Sequence, residues 1–303
     1  MEKVMKKVKI IADSCSDVPA ELLEKYDIDY AQMKTVYQGK ESPALLTWSG
    51  EEAHALYEIM RGGERITTAQ VPVDEFNRVF KKYTDDGCDV VYIGCSSKQS
   101  GSVNTGTLVA RKMMEENPDI KIVCIDSLNA SLGIALLVIE AAKLAQAGKS
   151  ADEIEKEIIG LRKRVNQYVT VHSLTFLHRA GRVKGSAAFF GNLMGVKPIL
   201  ISDANGEQVA YKKVKGRQKS FEEIVSMLKS SIVEPENQTV YIAHADCAED
   251  EIKALVDLVK KEIPCRDVCV GCIGPIIGAS IGPDAVGVWG VGNEVTYTVG
   301  EAK

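Results

Sequence analysis

Three hydroxyl-rich segments hold most of the chemistry this chain has to offer. They are ADSCSD, with Asp13, Ser14, Ser16 and Asp17; GCSSKQSGS, with Ser96, Ser97, Ser100 and Ser102; and IDS, with Asp126 and Ser127. A fourth, ITTAQVP, adds Thr67 and Thr68 just before a helix start. Hydroxyls beside the unpaired backbone N–H groups of a helix N-terminus form a neutral nest of donors for an anion. One serine at such a place is accounted for as a helix cap. Four serines within seven residues, Ser96 to Ser102, exceed what one cap requires and suggest a small-anion site.

Other chemistries fit less well. No GxSxG elbow is present, since the candidate serines follow GCSSK. A Ser–His–Asp triad would have to recruit His172, His178 or His244, and spacing alone brings none of them to a serine. The chain has no P-loop, and Gly287, Gly290 and Gly292 do not follow the dinucleotide fingerprint. His54 sits in an amphipathic helix, as a surface or packed histidine. Cys265, Cys269 and Cys272 have the CxxxCxxC spacing of a cluster ligand set. Their segment reads as a strand, however, in which Cys269 and Cys272 face opposite ways, so buried free thiols are expected. The basic run Lys212, Lys213, Lys215, Arg217 and Lys219 reads as a solvated face, or else as a docking surface for an acidic or phosphorylated partner. A serine-dependent hydrolase or transferase acting on a small acyl or anionic substrate stays open.

The elements that must position these groups alternate. VKII, DVVYIGC and IKIVCIDS are short apolar runs separated by helical patterns, which implies a parallel sheet with helices on both faces. Ser49 with Glu52 and Ser150 with Glu153 form capping boxes. Phe76, Val79, Phe80 and Tyr83 mark one buried helix face. A helix should run from Ser102 to Glu116, and a long apolar one should end at Gly148. In such open sheets ligands bind beyond the carboxyl ends of the strands, where the serine segments lie. The helix opened by Ser150 is expected to reach Gln167. Beyond it, VKPILIS and EQVAYKKV flank Asn205-Gly206 as a β-hairpin. Ser220 with Glu223 should cap a helix, and strand, helix and strand follow before a glycine-rich stretch from Gly274. The chain therefore divides into an open α/β domain over 1–150 and a mixed α+β domain over 151–303.

Composition fits that reading. The chain has 303 residues, 45% hydrophobic and 26% charged, as in ordinary globular proteins. Its 37 basic and 42 acidic residues leave a net charge of −5. No broad positive field exists to hold a phosphate backbone, so nucleic acid is not an expected partner. No segment offers the roughly 20 apolar residues of a membrane span, and the start is too short in apolar residues for a signal peptide. A cytoplasmic protein with eight reduced cysteines and no metal centre is expected, transient contact with a membrane surface aside.

Taken together, the motifs resemble the DegV family of fatty-acid-binding proteins, from IADSCSDVP to GASIGPDAVG. TTAQVPVDEF is similar to the family's Thr-Ser-Gln segment, with Thr68 as its threonine and Ala69 in place of its serine. SSKQSGS resembles SSxLSGT, with Ser102 replacing the threonine. SLTFLHRAGRV resembles LxxLxxGGR, keeping Gly181 and Arg182 with Ala180 for the first glycine. GNLMGVKPIL and YKKVKGRQKS match in order and spacing. The resemblance implies two α/β domains around one long-chain fatty acid, which is the ligand; no cofactor is implied. Thr68, Ser97 and Ser100 would hold the carboxylate, with Arg182 and Ser280 nearby. Characterised members present the acid to a separate ATP-dependent fatty acid kinase that makes an acyl phosphate, and catalyse nothing themselves. SLGIALLVIEAAKLA and AAFFGNLMGV are the expected tunnel walls.

Two departures bear on this. The family's closing motif is GxHxGPG, whereas this chain has Ser280 at the histidine and Asp284 at the final glycine. A histidine can donate a hydrogen bond and carry charge, and serine does only the first. Lys215 replaces the family's hairpin arginine. A lipid binder no longer coupled to a kinase is thus the second alternative.

Overall fold

The computed structural model describes residues 6–184 and 195–299. The chain opens with β1 (Val8–Asp13), α1 (Ala20–Lys25) and β2 (Asp29–Ala31). A small meander follows, β3 (Lys34–Tyr37) and β4 (Lys40–Pro43), then α2 (Gly50–Arg61) and β5 (Ile66–Ala69). Next come α3 (Val73–Thr84), β6 (Asp89–Gly94), α4 (Ser102–Glu116) and β7 (Ile122–Asp126). The apolar runs at β1, β6 and β7 pair in parallel, in the order β2-β1-β6-β7. A separate antiparallel sheet, β4-β3-β5, went unforeseen because its residues are short, polar and half-exposed.

After β7 come α5 (Leu132–Gln146) and α6 (Ala151–Leu161). The body of α5 is buried almost throughout, and it packs against β1 and β6 as well as strands of the second sheet. Both capping boxes form: the Ser49 and Ser150 hydroxyls accept from the backbone N–H groups of Glu52 and Glu153. The α6 helix packs on β6 and β7 of the first sheet.

The expectation that this helix would reach Gln167 is corrected. It ends at Leu161, and β8 (Val165–Thr170) follows a single 3₁₀ turn. Asn166 and Gln167 hid the strand, since a central strand covered on both faces shows no alternation and these two amides are buried. The rest of the chain forms α7 (Leu174–Ala180), β9 (Val183–Lys184), β10 (Val196–Ser202) and β11 (Gln208–Lys215). Then come α8 (Arg217–Ser231), β12 (Thr239–His244), α9 (Glu249–Glu262), β13 (Asp267–Cys272), α10 (Pro275–Ile281) and β14 (Val286–Val291). The second sheet is mixed, in the order β13-β12-β14-β8-β10-β11-β9, with β10 and β11 as the expected hairpin.

Ser220 does not cap α8. The helix starts at Arg217 after Gly216, whose φ of 94° turns the chain out of the hairpin, and the Ser220 hydroxyl donates back to the Arg217 carbonyl. The glycine-rich stretch becomes α10 and β14. All eight cysteines are free, and no described helix is long and apolar enough to cross a membrane.

Candidate functional site

The carboxyl ends of β1 and β6 open onto a cavity of about 190 Å³, closed on other sides by α10 and the second sheet. Its apolar lining includes Met33, Val169, Leu200, Ile276, Ile277 and Trp289. Thr68, Ser100, Arg182 and Ser280 all line it. A smaller pocket of about 70 Å³ shares Thr68, Arg182 and Ser280 and adds Thr67, Arg65 and Arg179. Three arginines and one acid, Glu64, thus line this smaller pocket, a local positive excess in a chain whose net charge is negative.

Each of these side chains has a local reason to be where it is. Thr68 is on β5, paired with Thr35 on β3. Ser100 precedes α4 and exchanges a 3.0 Å hydrogen bond with the Ser102 hydroxyl, which also accepts from the Val71 N–H. Gly101, the residue before α4, offers no capping side chain, and a Cβ there would lie 2.0 Å from the Gln70 Oε1. Arg182 follows the left-handed Gly181 (φ 64°) that ends α7, and its guanidinium donates to the Ala180 carbonyl. Ser280 rides on α10.

Ser97 is not brought to the cavity. Its backbone N–H donates to Asp126, while the neighbouring Ser96 hydroxyl is spent on the Gly206 carbonyl. Asp284 does not line the cavity either. It adopts φ 62°, the left-handed conformation suited to the glycine of the resembling motif, and its carboxylate pairs with Arg61 at 2.7 Å. Arg61 also binds Asp246 at 2.5 Å and Glu58 at 2.8 Å, so one cation bridges three carboxylates. Arg61→Gln should cost about 1–2 kcal/mol in urea unfolding, less in high salt, because all four groups are partly exposed. Of the expected tunnel walls, AAFFGNLMGV lies almost wholly outside the described residues, and of SLGIALLVIEAAKLA only Ser131, the residue before α5, lines the cavity, beside Ala130.

Beneath the mouth are two buried acids. Asp13 accepts from the Cys15 and Cys95 N–H groups and the Tyr92 hydroxyl, tying β1 to β6. Burial raises its pKa despite these donors. Asp17 accepts from the Ser131 hydroxyl at 2.5 Å and the Gly274 N–H at 2.9 Å, linking the first strand's loop to the starts of α5 and α10. Burial pushes its pKa up to about 7, against those two bonds. Ser131 has no cap bond to give α5, because its hydroxyl is committed to Asp17 and its own φ is 51°.

A carboxyl with a raised folded-state pKa holds a proton that the unfolded chain releases, so its contribution to stability is lost as pH climbs from about 4 to about 7. Asp17→Asn keeps the neutral hydrogen-bonding pattern. Its stability relative to wild type should therefore rise across that window, by up to on the order of 4 kcal/mol in denaturant melts at matched pH. A flat difference would contradict the buried-acid assignment.

Sequence reasoning missed the cavity wall given by the second sheet, formed by Gln167, Val169, Leu200, Gln208 and Trp289. The boundary error at Gln167 concealed the first two, and nothing in the sequence sets Gln208 or Trp289 apart. Among the described residues no histidine lines the cavity. His244 is turned aside, with its Nδ1 accepting from the Cys247 N–H.

A model of the DegV family of uncharacterised proteins matches residues 7–292. A DegV domain-containing protein of Clostridium perfringens is 33% identical over 289 residues, covering 95% of this chain and 99% of its own. A DegV lipid-binding protein of Thermotoga maritima superposes with a TM-score of 0.82 at 29% identity, over 96% of this chain and 100% of that one. A second Thermotoga maritima protein, described as revealing fatty acid binding function, gives a TM-score of 0.80 at 28% identity, over 94% and 98%. With a matching family model over nearly its whole length, a relative one-third identical end to end, and a fold that superposes over nearly the full chain, the chain belongs to the DegV family.

Proposed function

We propose that this protein binds a long-chain fatty acid, with the carboxylate at Thr68 and Ser100 and the acyl chain in the apolar cavity. Arg182 and Ser280 complete the head-group end. The observation that carries the reading is one cavity with hydroxyls and a guanidinium at one set of loops and aliphatic side chains elsewhere. The Thermotoga maritima relatives, described as lipid- and fatty-acid-binding, support it. Burying an acyl chain contributes about 0.8 kcal/mol per methylene, so roughly 14 methylenes offer on the order of 11 kcal/mol before association costs. Affinity then comes mainly from the chain, and the head group needs only donors and a cation.

The protein presents this acid to a separate ATP-dependent kinase and catalyses nothing alone. Arg65, Arg179 and Arg182 around the mouth supply a positive rim for the developing phosphoryl charge, where the family motif has a histidine and this chain has Ser280. Mixing the loaded protein, a fatty acid kinase and ATP, then trapping with hydroxylamine, should yield the acyl hydroxamate. No hydroxamate with kinases that accept other DegV proteins would instead favour a lipid binder that has lost kinase coupling.

A further inference from the structure

Across the inner face of the second sheet runs a chain of buried amides. The Trp289 indole Nε1–H donates to the Gln167 Oε1 at 3.3 Å, the Gln167 Nε2 donates to the Gln208 Oε1 at 2.5 Å, and the Gln208 Nε2 donates to the Ser202 Oγ at 2.6 Å. The strand register aligns the row, with Gln167 opposite Trp289 and Ser202 opposite Gln208. An indole only donates, so it fixes the direction of every bond along the row and orients both carboxamides.

Gln167 and Gln208 are 4% and 8% exposed, and both line the cavity, as does Trp289. Each carboxamide has two N–H groups and two acceptor lone pairs, and each makes two bonds here. One donor and one acceptor per amide are left over in the wall of an apolar cavity. Polymethylene satisfies neither, and leaving buried polar valences unmet is costly, so a wall built only for an unsubstituted chain is better served by leucine.

We infer that Gln167 and Gln208 form a subsite for a hydroxyl carried along the acyl chain, so that the ligand class is hydroxy-substituted long-chain fatty acids. A hydroxyl both donates and accepts, and thus uses the spare lone pair of one amide and the spare N–H of the other. The inference rests on the fatty-acid reading of the cavity and specifies which fatty acids it prefers.

The test is calorimetric titration of the delipidated protein with stearate and with positional isomers of hydroxystearate. At least one isomer is expected to bind about tenfold more tightly than stearate, the effect of about one buried hydrogen bond. Gln208→Leu should bring that isomer within about twofold of stearate. If every isomer binds no more tightly than stearate, or if the preference survives Gln208→Leu, the subsite inference is overturned while fatty-acid binding stands. If stearate and all isomers fail to bind, the fatty-acid reading itself falls. The wild-type ranking decides the matter even if the variant does not fold.

Discussion

Thr68→Val and Ser100→Ala should each weaken fatty-acid binding by about 10- to 100-fold, and the double variant by more. A hydrogen bond to a charged group contributes about 1.5–3 kcal/mol, and each 1.4 kcal/mol is about tenfold in affinity. Both residues line the cavity, on β5 and just before α4, so under the proposed head-group placement each removal takes a donor from the same carboxylate. Neither substitution empties a core position, since both residues are only half-buried. Ser97→Ala is the informative control. The family resemblance gives Ser97 the same role, whereas it does not line the cavity, so its affinity should change by less than about twofold. Titration of the four variants and the wild type with one fatty acid reads these effects. Unchanged affinity in Thr68→Val and Ser100→Ala would remove the head-group assignment, and a large loss in Ser97→Ala would move the site toward Asp126.

A second large effect is expected where α10 meets α2. A Cβ on Gly278 would lie 2.4 Å from the Tyr57 hydroxyl and 3.0 Å from its ring. Tyr57 is fully buried, and its hydroxyl donates to the Ile273 carbonyl at 2.6 Å, so the ring cannot swing aside. The strain must move α10, which carries Ile276, Ile277, Ser280 and Ile281 in the cavity wall. Gly278→Ala should therefore cost about 1–3 kcal/mol despite alanine's better helix propensity, and it should lower fatty-acid affinity at the same time. Gly160→Ala reverses the sign. That glycine is within α6, with nothing within 4 Å of an added Cβ, so alanine should stabilise by about 0.5–1 kcal/mol and leave binding alone. Chemical denaturation of the two variants, alongside binding, separates crowding at α10 from any general effect of losing a glycine.

Much of the first half could be read directly. The apolar runs at Val8, Asp89 and Ile122 and the boxes at Ser49 and Ser150 are local signals, and local chemistry determines those elements. Residues 165–170 could not be read, because Asn166 and Gln167 are polar side chains buried by tertiary hydrogen bonds that have no local trace. The site divides along the same line. Thr68, Ser100, Arg182 and Ser280 were visible because strand ends and motif order single them out. Gln208 and Trp289 reach the cavity only through strand pairing across the second sheet. Asp17 shows the limit in another way, since its segment stands out as hydroxyl-rich but its partners, Ser131 and Gly274, are 114 and 257 positions away.

The claim on which all of this depends is that the cavity holds one fatty acid per chain. Native mass spectrometry of the purified protein, with its organic extract identified by gas chromatography, tests that most directly. The account predicts a single adduct of fatty-acid mass at one per chain, lost in Thr68→Val/Ser100→Ala and recovered when fatty acid is added back to delipidated wild type. A protein that is free of lipid as purified and takes up no added fatty acid would contradict it.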